Sequence, residues 1–405
     1  MLSLSTFVVV TSEMLPVGVL TPMADGLRIS PGLAGFSLSI TGLVTAVTAP
    51  VVPRVVGTLD RRLVLAAATV VLAVGNALTT VASSFGLLVA SRVVIGIGMG
   101  AVWGLASAVA PRLVAPRNAP LAVSLTIGGV AAASVIGVPL GTLVGNAFGW
   151  RAAFASLSAA AVLLTVGLLL TLPPLPRPTA PTALATSPTS ATSTTPATPA
   201  TGANIRTTHQ PLLRTAPVTV GLILILFLVT AHFAAYTYVR PVLEERTGLA
   251  PGTIALLLLA YGVFGLVGNF AAGALAARRA RITVLGLAVG IGAAIALLAL
   301  FGTRTGFAVF GIALWGLAYG GLSVAGQLWM TQAAPHRTEH ITGLYVGVFT
   351  AAIALGAFLG GTLVESAGIA PLLWSATALT IGSLAIGALG PGPAHRHLST
   401  TDSPE

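Results

Sequence analysis

Residues 253–302 read TIALLLLAYGVFGLVGNFAAGALAARRARITVLGLAVGIGAAIALLALFG. Two uncharged runs, 253–277 and 282–302, flank a short turn that carries Arg278, Arg279 and Arg281. A bilayer core of ~30 Å takes ~20 apolar residues at a rise of ~1.5 Å each. Either run is long enough to cross it. Open chain cannot cross lipid with unsatisfied amides, so both runs read as transmembrane helices. Barrel strands would instead alternate in segments of about ten residues.

Carried outward, the same rule finds twelve spans: 3–24, 34–53, 63–82, 86–110, 121–147, 152–172, 217–239, 253–277, 282–302, 306–330, 341–364 and 370–389. Most connections are brief and hold Arg, Asp, Pro or Gly. Composition agrees, since the 405 residues are 55% hydrophobic and only 7% charged. Soluble domains carry about 25% charged residues, and disorder needs low hydrophobicity with high net charge. The expected class is an all-α integral membrane protein.

All nineteen basic residues are Arg, and the net charge is +10. A nucleic-acid partner would need them clustered on one soluble face. They lie instead between apolar runs, where positive loops set membrane orientation. Loops after even-numbered spans, with the tail, hold thirteen Arg, loops after odd-numbered spans hold five, and Arg92 is inside a span. Both termini are therefore expected in the cytoplasm, in a multi-pass cell-membrane protein. No signal peptide is expected, because no basic region or small-residue cleavage site follows Met1. With no Cys and no Lys, thiolate metal sites, cysteine nucleophiles and a phosphate-binding P-loop are all excluded.

Composition changes sharply over 173–216, which is rich in Pro, Thr, Ala and Ser and reads as a disordered linker. It divides the chain into a six-helix bundle at 1–172 and another at 217–390, with a cytoplasmic tail at 391–405. The halves echo each other. Gly141-Thr142-Leu143-Val144 recurs as Gly361-Thr362-Leu363-Val364, and Ala115-Pro116-Arg117 as Ala334-Pro335-His336-Arg337, both offset by about 220 residues. Parallel six-helix halves around a midplane site are a common transporter plan.

Residues 11–18 (TSEMLPVG) in span 1, 57–62 (GTLDRR) after span 2, Arg92 with Gly96 and Gly100 in span 4, and 137–141 (GVPLG) in span 5 together resemble the motifs of the major facilitator superfamily, and within it the twelve-helix drug/proton antiporter branch of sugar-efflux and chloramphenicol-efflux proteins. Thr11-Ser12-Glu13-Met14-Leu15-Pro16-Val17-Gly18 in span 1 is similar to that branch's TSEFLPVG-type signature. Gly57-Thr58-Leu59-Asp60-Arg61-Arg62 is a shortened form of the family's loop after span 2. Arg92 with Gly96 and Gly100 resembles the motif of span 4, with Ile95 in place of Gln. Gly137-Val138-Pro139-Leu140-Gly141 is close to the antiporter motif of span 5 but lacks its Gly-Pro doublet. In the second half the loop motif has Ala277 where an Asp is expected. The resemblance implies two pseudo-symmetric bundles and a cytoplasmic latch at Gly57, Asp60, Arg61 and Arg62.

Apart from histidine, only Glu13 and Arg92 are side chains well inside the spans that would carry a charge in water at neutral pH. A charge at the bilayer centre costs ~2.5–3.5 kcal/mol on insertion scales, which a carboxyl escapes by binding a proton. Glu13 lies about eleven residues into span 1, roughly 16 Å deep, where a proton-coupled transporter needs a titrating group. The alternative is a protonated Glu hydrogen-bonded to a neighbouring helix. Arg92 cannot lose its proton and must meet water, carbonyls or a carboxylate. The resemblance, which lines the cavity with spans 1 and 4, puts it within reach of Glu13.

Gly spacings at 96/100/104, 137/141/145, 316/320 and 356/360 favour close helix contact. Pro139, between Gly137 and Gly141, should bend span 5. On helices that the resemblance places inside, His232 and Tyr236 share a face, as do Trp315 and Tyr319. Trp103, Asn269 and Gln327 add possible substrate contacts. Aromatic walls with few hydrogen bonds suit a bulky, partly apolar compound, although Trp and Tyr also anchor helices at the membrane interface. His336-Arg337-Thr338-Glu339-His340 matches a zinc-protease pattern, but it lies in a short loop with no metal-binding subdomain around it.

The expected protein is a transporter, not an enzyme. It exports a small drug-type compound in exchange for protons, with sugar or nucleoside efflux as the alternative and a transport-dead sensor as a further one. A monomer without cofactor or metal, in contact with lipid and not nucleic acid, is expected.

Overall fold

The computed structural model describes residues 1–56, 59–115, 117, 125–126, 128–130, 132–175 and 214–392, with no strand among them. Ten of its helices are long and apolar enough to cross a membrane, and a sharply bent pair at the start makes eleven. The twelfth comes from Pro251–Phe301, one helix of 51 residues by hydrogen bonding. At ~1.5 Å per residue it would run to ~76 Å, more than twice the hydrocarbon thickness. Its path breaks at Arg279 (φ −143°, ψ 65°), inside the arginine turn, so spans 8 and 9 separate where the charges require.

Span 1 consists of Leu2–Gly18 and Leu20–Leu27. Spans 2, 3 and 4 are Pro31–Val55, Arg61–Thr80 and Phe85–Val109. Span 5 contains Ala133–Gly137 and Val138–Phe148, and span 6 is Trp150–Thr171. Span 7, Ala216–Tyr236, is followed by a short helix, Val239–Thr247. Span 10 is Thr305–Gly320 with Leu322–Ala333, span 11 Thr338–Ala367 and span 12 Ile369–Leu389. Six spans precede the linker region and six follow. The linker at 173–216 and the tail at 391–405 lie outside the described residues except at their ends.

An even number of spans puts Met1 and the end of span 12 on one face, here the near face; the other is the far face. Each half closes its near face alike. Arg62, at the start of span 3, donates through Nη2 to the Leu169 carbonyl at the end of span 6. Arg281, at the start of span 9, caps the end of span 12 by donating to Gly387 O (3.1 Å), Ala388 O (2.9 Å) and Gly390 O (2.7 Å). Helix C-termini leave carbonyls unsatisfied, and an arginine from a neighbouring helix satisfies them in both halves. These two arginines are also about 220 positions apart, the offset of the sequence echoes. Shallow apolar grooves between spans 3 and 6 (Val70, Val162) and between spans 9 and 12 (Val289, Ile381) likewise fall at equivalent places. Leu163, Leu170, Phe270 and Leu389 point outward, as lipid-facing surfaces should.

Span 5 has the irregularity expected of it. Ala133–Gly137 forms a π turn, in which Val138 N–H reaches back to Ala133 O, directly before Pro139. A proline cannot donate to the carbonyl four residues back, and a widened turn accommodates the mismatch. The small residues of this span face span 1, where a Cβ on Gly141 would lie 2.6 Å from Leu15 Cδ1.

Candidate translocation site

Span 1 was expected to run unbroken over 3–24. It bends by 72° at Val19, and its two prolines organise the surroundings. Pro16 has no N–H for the carbonyl of Ser12, and Pro22 none for that of Gly18. An arginine reaches each of these carbonyls. Arg92 Nη1 donates to Ser12 O at 3.5 Å, and Arg240 Nη1 donates to Gly18 O. Arg92 belongs to the first bundle and Arg240 to the second, so span 1 is held from both sides at the points where its own ladder is open.

Arg92 is fully buried. Its guanidinium carbon sits 4.9 Å from the centre of the Phe154 ring, an attractive arrangement for a cation. Nearby, Asn76 Nδ2 donates to Ser12 Oγ at 3.1 Å. No ion pair joins Arg92 to Glu13 among the described residues, where Arg240–Glu244 is the pair seen. The expected partnership is therefore not made in this conformation. Ser12 turns its face to the first bundle, and the next residue points about 100° further round the helix.

Glu13 is buried, and its carboxyl has no hydrogen-bond partner among the described residues. Its neighbours Met14 and Val17 pack into the core of the second bundle. Val17, one turn on from Glu13, shares that core with Tyr319.

Tyr319 ends a column of four rings. It stacks on His232 (centroids 3.5 Å, 2° between planes), His232 on Tyr236 (5.1 Å, 18°) and Tyr236 on Tyr261 (4.7 Å, 25°). Trp315 stands edge-on to His232, Tyr236 and Tyr261, at 82°, 81° and 86°. Phe233 stands edge-on to His232, Tyr236 and Tyr319. Stacked and edge-to-face pairs each add about 0.5–1.5 kcal/mol beyond burial, so the column is a stiff wall. Trp315 Nε1 donates to His232 Nδ1 at 2.9 Å. His232 Nε2 and the Tyr261 hydroxyl are buried without partners among the described residues.

His232, Tyr236, Trp315 and Tyr319 thus come together. Trp103 does not join them; it packs against the core of the first bundle with Phe7. Gln327 ties span 10 to span 11, donating to Thr342 Oγ1 at 2.6 Å. Asn269 is half-buried on span 8, with no hydrogen bond among the described residues. Asp60 caps span 3 by accepting from Arg62 N (2.9 Å) and also accepts from Leu175 N (2.8 Å), while Arg61 N donates to Leu175 O (3.1 Å). These bonds tie the start of span 3 to the chain leaving span 6 and do not reach the second bundle. Gly57 lies outside the described residues.

Among the described residues, the hydrogen bonds that join the bundles gather on the far face. Arg240, 3% exposed, bonds Gly18 O, Asn146 Oδ1 (3.1 Å) and Glu244 Oε1 (2.8 Å). Thr21 Oγ1 donates to Glu244 Oε2 at 2.5 Å, and Asn146 Nδ2 to Pro251 O at 3.0 Å. Glu365 of span 11 accepts from Ser30 Oγ and from Leu33 N (3.0 Å), capping span 2 from the opposite bundle. Tyr238 OH donates to Ala357 O (3.1 Å) and lies 3.3 Å from Gly32 O. Sequence reasoning missed this network and Tyr261. Arg240 counted only towards orientation, and its i,i+4 spacing from Glu244, a usual ion-pair signal, was the available clue.

The family model described as Major Facilitator Superfamily matches residues 2–361. Purine ribonucleoside efflux pumps NepI of Escherichia coli (strain UTI89 / UPEC) and Shigella sonnei (strain Ss046) are 29% identical over 384 residues, covering 92% of this chain and 89% of theirs. A bacterial homologue of the human lysosomal transporter Spinster, inward-facing and occupied, superposes with TM-score 0.72 at 14% identity, covering 96% of this chain and 95% of its own. A mutant of the nucleoside transporter NupG superposes with TM-score 0.71 at 13% identity, covering 96% and 99%. Twelve spans in two matching halves, together with a family match over most of the length, make this chain a member of the Major Facilitator Superfamily, a multi-pass membrane transporter.

Proposed function

We propose that the chain exports a purine-nucleoside-type solute across the cytoplasmic membrane by alternating access, with Glu13 taking up the proton that drives it. The observation that carries this reading is the ring column from Tyr261 to Tyr319, packed in one core with Met14 and Val17 on the span that holds the buried, unpartnered carboxyl of Glu13. A nucleobase is flat, apolar on its face and polar on its edge. Aromatic rings suit the face, and a few placed polar groups suit the edge. The curated relatives add weight, since they are purine ribonucleoside efflux pumps. They favour nucleoside over drug-type export, which rested on motif resemblance.

The arginine balance supports a cytoplasmic near face. The far-face network would then close the extracellular side, with the linker at 173–216 tethering the bundles of one working monomer. Glu13 crosses between access states most cheaply when protonated. Solute arriving from the cytoplasm releases that proton, and reopening to the outside reloads it. Arg92 acts on this exchange through span 1, because its charge sits on the carbonyl beside Glu13.

The test uses full-length protein in proteoliposomes with an imposed pH gradient. Purine nucleoside flux should run opposite to the proton gradient and reverse with it. Glu13→Gln should retain exchange of solute for solute but lose the response to pH. Persistent proton coupling in that variant would remove Glu13 from the mechanism, and flux of drug-like cations without nucleosides would restore the drug reading.

A further inference from the structure

We infer that His232 reads a ring-nitrogen acceptor on the purine base, and that Trp315 makes this possible by fixing which imidazole nitrogen carries the proton. The inference rests on the purine reading above. An indole N–H can only donate. Since Trp315 Nε1 donates to His232 Nδ1 at 2.9 Å, Nδ1 carries no proton, and the neutral ring holds its hydrogen on Nε2. That Nε2–H is buried without a partner among the described residues. Such a donor is destabilising until an acceptor meets it.

The surroundings restrict what can supply the acceptor. His232 is wholly buried, stacked on Tyr319 on one side and Tyr236 on the other. Both faces of the imidazole are covered by rings, so anything meeting Nε2 must do so in the plane of the imidazole. A flat heterocycle with an in-plane lone pair has the right shape. Purine offers such lone pairs at N1, N3 and N7; a hydrocarbon ring or a sugar alone does not. The Tyr261 hydroxyl, at the other end of the column, is likewise buried without a partner among the described residues, so a polar group at each end of the column can still take a hydrogen bond. Trp315 is a positioning residue here, because it acts through His232.

The test measures transport of adenosine and of its 1-deaza, 3-deaza and 7-deaza analogues by the full-length protein in proteoliposomes. Each analogue replaces one ring nitrogen with C–H and keeps the shape. Removal of one of the three acceptors should raise KM about tenfold with little change in kcat, and removal of the other two should not. Trp315→Phe keeps a ring in place but frees His232 to carry its proton on either nitrogen, so this variant should lose that discrimination. His232→Gln, whose amide can still donate near the Nε2 position, should retain part of it.

If the wild type transports adenosine and all three analogues with KM values within twofold, the inference falls and the purine reading stands. If the wild type carries no purine nucleoside, both fall. Full discrimination in Trp315→Phe would remove Trp315 from the account. The wild-type comparison needs no variant to fold.

Discussion

Replacing Arg240 with Gln should unlatch the far face. The guanidinium makes two bonds across the bundle interface, to Gly18 O and to Asn146 Oδ1, and one ion pair along its own helix to Glu244. Hydrogen bonds from a charged donor contribute about 1.5–3 kcal/mol each. Gln can keep at most one of the cross-bundle pair, at neutral strength. It also leaves Gly18 O short of a donor, because Pro22 has none to give. The closed state should lose about 2–4 kcal/mol relative to the open one, a shift of roughly thirty- to seven-hundred-fold in their ratio. The chain has no native cysteine, so Ala34→Cys can report on the change. Ala34 is fully buried in a far-face cluster that includes Tyr238 of the opposite half. Labelling by a membrane-impermeant maleimide applied to the far face should accelerate by tenfold or more in the Arg240→Gln background. Pro22→Ala, which gives Gly18 O an intrahelical partner, should shift the rate the same way by less. An unchanged labelling rate in Arg240→Gln would refute the idea that the orphaned carbonyl is a docking point.

Gly262→Ala should slow transport by roughly tenfold or more, since its Cβ would sit 2.6 Å from Val135 Cα, on backbone that cannot yield, and overpacking costs about 1–3 kcal/mol; a normal rate in a vesicle flux assay would count against close span 5–span 8 contact. Asp60→Ala should lower the thermal unfolding midpoint in detergent through loss of a cap worth about 0.5–2 kcal/mol, without changing near-face cysteine labelling. Altered labelling would instead support a latch between bundles. Acidifying the far side should speed wild-type export and leave Glu13→Gln flat, because proton uptake on that side is the step the carboxyl performs.

Much of the architecture was legible from hydrophobic runs. Spans 8 and 9 part at Arg279 because three arginines cannot lie in lipid, a fact readable residue by residue. The duplication was visible in short echoes and reappears as Arg62 and Arg281 capping equivalent helix ends. Site residues were less legible. His232 with Tyr236, and Trp315 with Tyr319, follow from i,i+4 spacing on single helices. Tyr261 completes the column from another span, and nothing in its local sequence separates it from an interface anchor. Trp103 and Gln327 had the right residue types but sit in a first-bundle core and a span 10–span 11 bond. Arg92 was recognised as a buried cation, but its partner is a backbone carbonyl rather than Glu13.

The amino-acid order by itself determined that this chain lives in lipid, crosses it twelve times and repeats its plan, because a bilayer tests each run of residues for length and polarity along one dimension. Which polar groups meet was decided only in three dimensions. The rotation of span 1 turns Ser12 to one bundle and Glu13 to the other, and the prolines that open its ladder matter only because Arg92 and Arg240 arrive from different helices to fill it. Side-chain partnership across helices depends on rotation and packing, which no single segment encodes.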